Sequence, residues 1–405
     1  EDSVVGAGIS VDSNGSRLSL MAEDTITIEA DADLLGEGGN IVLEGKGFSS
    51  TGPGVEIEQA NAGSDNLDPS GTTTISTSST GTITITGEGG SSSSINNEGV
   101  VIGTASESAG DRNSMLFESA SGDITITGTG GVWDASDESQ VPGLRLSSMT
   151  LRATDGGNIN GIGKGPTSNS SIIGDRDGIV IENDVLIETD GAIDLSGDAN
   201  GTGEGVDMND TTDIEILAGT GGLNIEGAVL GESGDADAVT AKGTILNAVN
   251  GAITITGHGG KAGGVGISFA DGTVVGSADT TEITLDGQGR GPSEPDDGIF
   301  LSGTTVETDG VLTLTNDTSM PVRGDAARVS DSTLKANSVT ATWAADGYAL
   351  YVDENSSIVT TGGAITVSAE SDSEDGLRLY DSTIASFTDI TFKGLGSNDF
   401  VKGAD

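Results

Sequence analysis

Gly122-Asp123-Ile124-Thr125-Ile126-Thr127-Gly128 sets two isoleucines two residues apart among short polar residues, with glycine at each end. The segment returns as Gly81 to Gly87 and Gly251 to Gly257, and in looser form as Gly191 to Gly197, Thr281 to Gly287 and Gly363 to Ala369. Alternation with a period of two buries one face of a strand and wets the other. Ile and Thr favour that extended backbone because their stiff branched side chains pack well on a pleated surface.

A second segment starts with Gly or Ala and continues apolar, any residue, apolar. Copies begin at Gly8, Gly54, Gly99, Gly143, Gly178, Gly205, Ala238, Gly266, Gly298, Ala326, Ala349 and Gly376. A third short strand, such as Val185 to Thr189 or Thr305 to Thr308, lies between the two and ends in a turn such as Asp190-Gly191 or Asp309-Gly310. Three strands in constant order, with glycine at the corners, describe a three-sided coil. Successive starts lie 23 to 46 residues apart with no helical pattern between them. The reading is therefore an all-β, right-handed parallel β-helix (a solenoid) of about twelve three-strand rungs, the hand following from the rule for parallel crossovers. Eleven steps at the spacing of paired strands give a rod roughly 50 Å long.

In that frame Ile83, Ile85, Ile124, Ile126, Ile253, Ile255, Ile365, Val367, Ile390 and Phe392 face inward and stack in ladders. Aromatics make up 3% of the chain, so the bore is aliphatic and narrow. A hydrophobic content of 34% with 66 glycines is the composition of a chain that struggles to offset its ordering entropy, and the periodicity is what argues for order. The whole chain, 1–405, reads as one β-helical domain, with irregular first turns over 1–53, regular rungs over 54–394 and a polar tail over 395–405. The first turns contain what looks like an extra strand pair, Thr25 to Ile28 and Asn40 to Leu43. Loops rich in Ser, Gly, Asp and Asn, such as Ala60 to Ser70, Gly131 to Pro142, Lys164 to Asp177 and Gly289 to Asp297, all fall between the Thr-Ile-Thr strand and the next start. They would protrude from one corner, the first place to look for a specific partner.

Sixty-four acids against sixteen Lys and Arg give a formal net charge of −48. That excludes the basic footprint of a nucleic-acid binder and disfavours docking on anionic lipid. The charge keeps a large surface soluble and suits a salty exterior where repulsion is screened. There is no cysteine, hence no disulfide, and no apolar run long enough to insert in a bilayer. The chain begins at Glu1 rather than an initiator Met, which points to a processed or partial chain, secreted or at the cell surface.

The Gly-Asp-Ile-Thr-Ile-Thr-Gly style of repeat resembles the repeat regions of filamentous-haemagglutinin-like exoproteins, β-helical surface proteins of bacteria. The resemblance covers most of residues 8 to 394 and is one of repeat style. It implies secretion through a partner pore and a role in adhesion, biofilm or surface layers. It brings no catalytic residue, and no match to the family's secretion domain is present.

Two residue sets stand out as candidate sites. Asp177, Glu204, Asp237, Asp297, Asp325 and Asp375 each immediately precede a Gly or Ala start. Stacked in register they would form an acid column that calcium, with its flexible oxygen shell, could bridge, although Asp-Gly is also good turn chemistry. Phe300, Arg328, Tyr351 and Arg378 occupy one outward position on four successive rungs, either a docking patch or a self-contained stack of guanidinium on aromatic rings. The Thr-rich strand face raises the idea of an ice-matching array, but Asp194, Asn224, Glu226 and Asp286 interrupt it. The single histidine, His258, falls in a Gly257-His258-Gly259-Gly260 turn and supports no catalytic set. Asn-x-Ser/Thr sites occur at Asn14, Asn169, Asn200, Asn209, Asn316 and Asn355.

Together these features favour a non-enzymatic extracellular structural protein that associates end to end into a fibre, filament or matrix. A surface adhesin taking a glycan or protein at its loop-bearing corner is the alternative, and a polysaccharide-active β-helix is the third reading.

Overall fold

Among the described residues every strand between the first and last rungs finds its hydrogen-bonding partners in the equivalent strands one turn earlier and one turn later, so the coil is built of three faces. A computed structural model describes residues 2–6, 8–47, 52–58, 72–90, 97–103, 115–131, 141–166, 176–209, 213–230, 236–289, 297–316, 324–345, 347–371 and 377–395. Among them are three sheets of 13 strands, with all the pairings parallel and no helix. The first sheet runs from Ser3–Val5 to Leu377–Leu379, the second from Ser10–Asp12 to Thr383–Ala385, and the third from Leu18–Ala22 to Ile390–Leu395. This is the three-sided parallel β-helix expected from the repeat, with thirteen rungs rather than twelve.

The extra rung is at the start. Ile26–Ile28, Asp33–Leu35 and Ile41–Lys46 form a complete second turn in register with the rest, and Ser3–Val5 pairs with Ile26–Ile28 as the first. The apparent extra strand pair is thus two sides of an ordinary rung, and residues 3–46 are regular. Gly8 does not begin a first-sheet strand: it lies at the corner before Ser10–Asp12, in the left-handed region at φ 68°. The residues in the starting position there, Asp2 and Thr25, lack the Gly or Ala that marks the other rungs.

The aliphatic ladders form as the alternation requires. Ile83, Ile85, Ile124, Ile126, Ile253, Ile255, Ile365 and Val367 are all buried in one continuous core. Ile390 and Phe392, on the thirteenth rung, are 42% and 36% exposed, because no further rung covers them among the described residues. At roughly 25 cal/mol per Å² of apolar area buried, stacking the next turn is what holds each turn closed.

The corners are specialised. Between the first and second faces the backbone turns through left-handed residues, among them Asn183, Asp184, Asp271, Asp331, Glu354 and Asn355; the Asn and Asp among them tolerate that conformation better than most residues. Just after that turn a column of buried hydroxyls, Thr244, Thr273, Thr304, Ser332 and Ser356, satisfies backbone groups that the corner removes from the ladder. Thr244 donates to Met208 O, Thr273 to Ala241 O and Thr304 to Phe269 O, each at 3.2 Å.

The corner that closes each turn rests on close approach. Gly45, Gly87, Gly128, Gly163, Gly197, Gly227, Gly257 and Gly287 stack on eight consecutive rungs. A Cβ on Gly128 would lie 1.9 Å from Gly143 O, and one on Gly257 1.9 Å from Gly266 O, so the end of the third face presses directly on the start of the next turn. Here glycine is required for lack of a side chain rather than for its φ. Beyond Gly287 the column gives way to Asn316 and Trp343, both buried. Ala60 to Ser70 lies outside the described residues, as do most of the other loops expected at this corner.

Candidate functional site

The acid column and the Arg–aromatic ladder lie on neighbouring parts of this frame, the first at the closing corner and the second on the first face. At the corner, four column carbonyls turn back toward the preceding rung: Asp177 O accepts from Gly143 N–H, Glu204 O from Gly178 N–H, Asp297 O from Gly266 N–H and Asp325 O from Gly298 N–H. The amide arriving from the following rung therefore meets no backbone acceptor, and the side chain supplies one. Asp177 Oδ1 accepts the Glu204 N–H at 2.8 Å, and Asp237 Oδ1 the Val265 N–H at 2.8 Å. Asp297 Oδ1 accepts the Asp325 N–H, and Asp325 Oδ1 the Tyr348 N–H, each at 2.9 Å. The donating amide is in each of these four bonds that of the equivalent residue one turn on, so the carboxylates act as substitute rungs of the ladder. Asp375 lies outside the described residues.

Burial makes this corner electrostatically costly. Glu204 is pushed up to about 10, first by burial and then by the Asp177 charge, with Asp207 and a hydrogen bond to Asp177 adding to it, so at neutral pH the pair holds a proton. Burial also raises Asp237, against the pull of the Val265 amide, and raises Glu98 in the same column. Among the described residues no three His, Cys, Asp or Glu side chains converge as a metal site, and four of the column carboxylates are each engaged by an amide.

On the first face Phe300, Arg328, Tyr351 and Arg378 are brought together as read from the sequence. The register pairs Phe300 with Arg328, Arg328 with Tyr351 and Tyr351 with Arg378. The Arg328 guanidinium lies 5.8 Å from the Phe300 ring centre and 5.2 Å from that of Tyr351. Arg378 lies 4.9 Å from Tyr351 and 5.2 Å from Tyr348, and donates from Nη1 to Tyr348 Oη at 2.9 Å. Asp353, buried beneath, holds Arg328 Nη2 at 3.4 Å. Both guanidinium groups sit within cation–π range of two rings.

Sequence reasoning missed several members. Tyr348 joins the ladder from the corner rather than from the strand, its ring 5.5 Å from that of Tyr351. Tyr380, 64% exposed, follows Arg378 by two residues at the end of the same strand. The usable signal was scarcity: Tyr348, Tyr351 and Tyr380 are all 3 tyrosines of the chain. Arg145 stands in the same outward column several rungs earlier, yet its side chain is 5% exposed and bound to Glu182 at 2.7 Å. On the second face Arg152 is flanked by Glu118 and Glu188 on the neighbouring rungs and pairs with both.

The remaining sequence candidates are placed as follows. His258 ends a third-face strand, paired with Ala228 and Gln288, rather than lying in a turn. Outward on that face Thr254, Thr284, Thr313, Thr340, Thr366 and Thr391 form an unbroken row, while the row beside it carries Asp286, Ser368 and Lys393. Asn316 is buried and holds both backbone groups of Ala344, and Asn169 lies outside the described residues. No helix among the described residues is long and apolar enough to cross a membrane. No known family, curated protein or solved structure matches the chain.

Proposed function

We propose that this chain is a structural rod of an extracellular fibre, filament or surface matrix. The observation that supports it is an apolar bore running through thirteen in-register rungs, with no further rung stacked on either terminal one among the described residues. Twelve steps at the strand spacing make a rod roughly 58 Å long. Val5, Val11, Leu18 and Leu20 at one end and Leu379 and Ile384 at the other are only partly covered, and among the described residues no strand pairs on the outer edge of the terminal strands. A further rung, whether from continuing polypeptide or from another copy, completes both. Head-to-tail contact of this kind does not close on itself and so extends into filaments. The outer surface fits the same role: its ordered features are ladders repeated along the axis, and its acidity keeps rods apart sideways, most strongly at low salt.

Electron microscopy of the purified chain over a range of concentrations, with added salt to screen the charge, tests the reading. End-to-end filaments of uniform width are expected. Isolated short rods at the highest concentration and salt would overturn self-assembly.

A further inference from the structure

Among the described residues of this acidic protein, one exposed area combines cationic and aromatic groups in a regular array: Phe300, Arg328, Tyr348, Tyr351, Arg378 and Tyr380. All 3 tyrosines of a 405-residue chain are gathered on adjoining turns of one face, which core packing does not require. Guanidinium groups and rings alternate along the rod axis, Tyr348 is tilted 45° against Tyr351, and Arg378 and Tyr380 are exposed while Phe300, Arg328, Tyr348 and Tyr351 are half-buried. A guanidinium that reaches this surface offers only donors. Arg328 keeps 39% of its side chain exposed while Asp353 of the next rung, almost buried, pairs with its Nη2; Arg378 gives one N–H to Tyr348. The result is a comb carrying two accessible guanidinium groups two rungs apart, about 10 Å along the axis.

We infer that this comb is a binding site for a linear glycan bearing carboxylates, lying along the rod axis. Planar guanidinium matches carboxylate as a two-point fork, and stacking on aromatic rings holds it in the required plane before the ligand arrives. Tyrosine hydroxyls and ring edges suit the hydroxyls and C–H groups between successive acid groups. A densely charged polyanion such as nucleic acid, or a second copy of this rod at a formal −48, meets repulsion from the whole surface. A short sugar chain seated on the comb meets mainly the charges within a Debye length of about 8 Å at physiological salt, and there its carboxylates are paired with arginine. The site does not depend on fibre formation: a single rod carries the whole comb.

The tyrosines provide the test. The full chain is labelled with fluorotyrosine, so that every fluorine resonance reports from the comb, and titrated with a short oligogalacturonate. Saturable shifts are expected, weakening with salt. The double variant Arg328→Gln/Arg378→Gln should lose at least about ten-fold in affinity, as expected for charge-assisted bonds. A neutral oligosaccharide of equal length should leave the spectrum unchanged. The inference is overturned if no resonance moves at millimolar oligogalacturonate, or if the double variant, shown folded by its circular dichroism, responds as the parent does. It is equally overturned if the neutral sugar or polyglutamate shifts the resonances with the same affinity. Filament formation is scored separately by microscopy, so failure here and failure of the fibre reading are distinguishable.

Discussion

Asp297 Oδ1 receives the backbone N–H of Asp325 at 2.9 Å, and Asp325 repeats the contact with Tyr348 on the next turn. A buried amide that loses its acceptor costs about 1–3 kcal/mol. Asp297→Ala should therefore lower the unfolding free energy measured by urea denaturation by an amount in that range, and Asp297→Asn, which keeps an oxygen in place, by less. Melting curves with and without a calcium chelator should coincide for the parent and for both variants, because the carboxylate binds an amide.

Glu204 gives the corner a pH dependence of determinate sign. Its folded-state pKa is pushed up to about 10 by burial and by Asp177, above its ordinary value of 4.5. The folded state holds a proton that the unfolded chain releases, so this group's contribution is complete below pH 4.5 and is lost as pH rises toward 10. The slope in that window is about 1.4 kcal/mol per pH unit for one proton. Glu204→Gln, which stays neutral and can still donate to Asp177, should remove that slope. Urea denaturation at pH 4, 6 and 8 is expected to show the variant gaining on the parent as pH rises; parallel curves would contradict the assignment.

The glycine column predicts a sharp contrast between two like substitutions. Gly128→Ala drives a Cβ to within 1.9 Å of Gly143 O, whereas a Cβ on Gly156 meets nothing within 4 Å and suffers only from its φ of 87°. Overpacking against backbone costs at least 1–3 kcal/mol, roughly, and placing alanine at positive φ about 1 kcal/mol. Thermal melts should rank the parent first, Gly156→Ala second and Gly128→Ala last.

Trp343 fills the closing corner where that glycine column has ended, at 1% exposure. Trp343→Ala should cost about 3–5 kcal/mol. Because each turn contacts mainly its neighbours, hydrogen exchange should speed up in the strands around Ser338–Ala345 before it changes in Ile83–Glu88.

The Arg–aromatic ladder also bears on stability. A double-mutant cycle between Arg328 and Tyr351 should return a coupling of about 0.5–2 kcal/mol. A coupling near zero would mean that the residues are aligned by register alone.

Much of this was legible in the residue order. The Gly81, Gly122 and Gly251 segments carry a period of two that only a half-buried strand explains, and their isoleucines are buried as that period requires. The ladder from Phe300 to Arg378 follows from register once the Gly and Ala starts are aligned. The first rung was hidden because Ser3–Val5 and Ser10–Asp12 are too short to show alternation, and because a corner glycine, Gly8, imitates a start. The acid column could be located but not interpreted. Its role depends on which way a carbonyl points at the corner, a property of the folded backbone that residue types leave open. Trp343 carries no periodic signal, and what gives it a place is the absence of glycine at its position in the stack.

The hydrogen bonds joining one turn to the next lie along the axis of the rod. A pull on the two ends therefore loads the bonds of a single turn rather than sharing the force across a sheet in shear. Under tension such a molecule yields by shedding turns one after another from an end, each releasing a length of slack chain at modest force. Anchored at a surface, it would act as an extensible tether that lengthens in steps and rewinds when the load is removed.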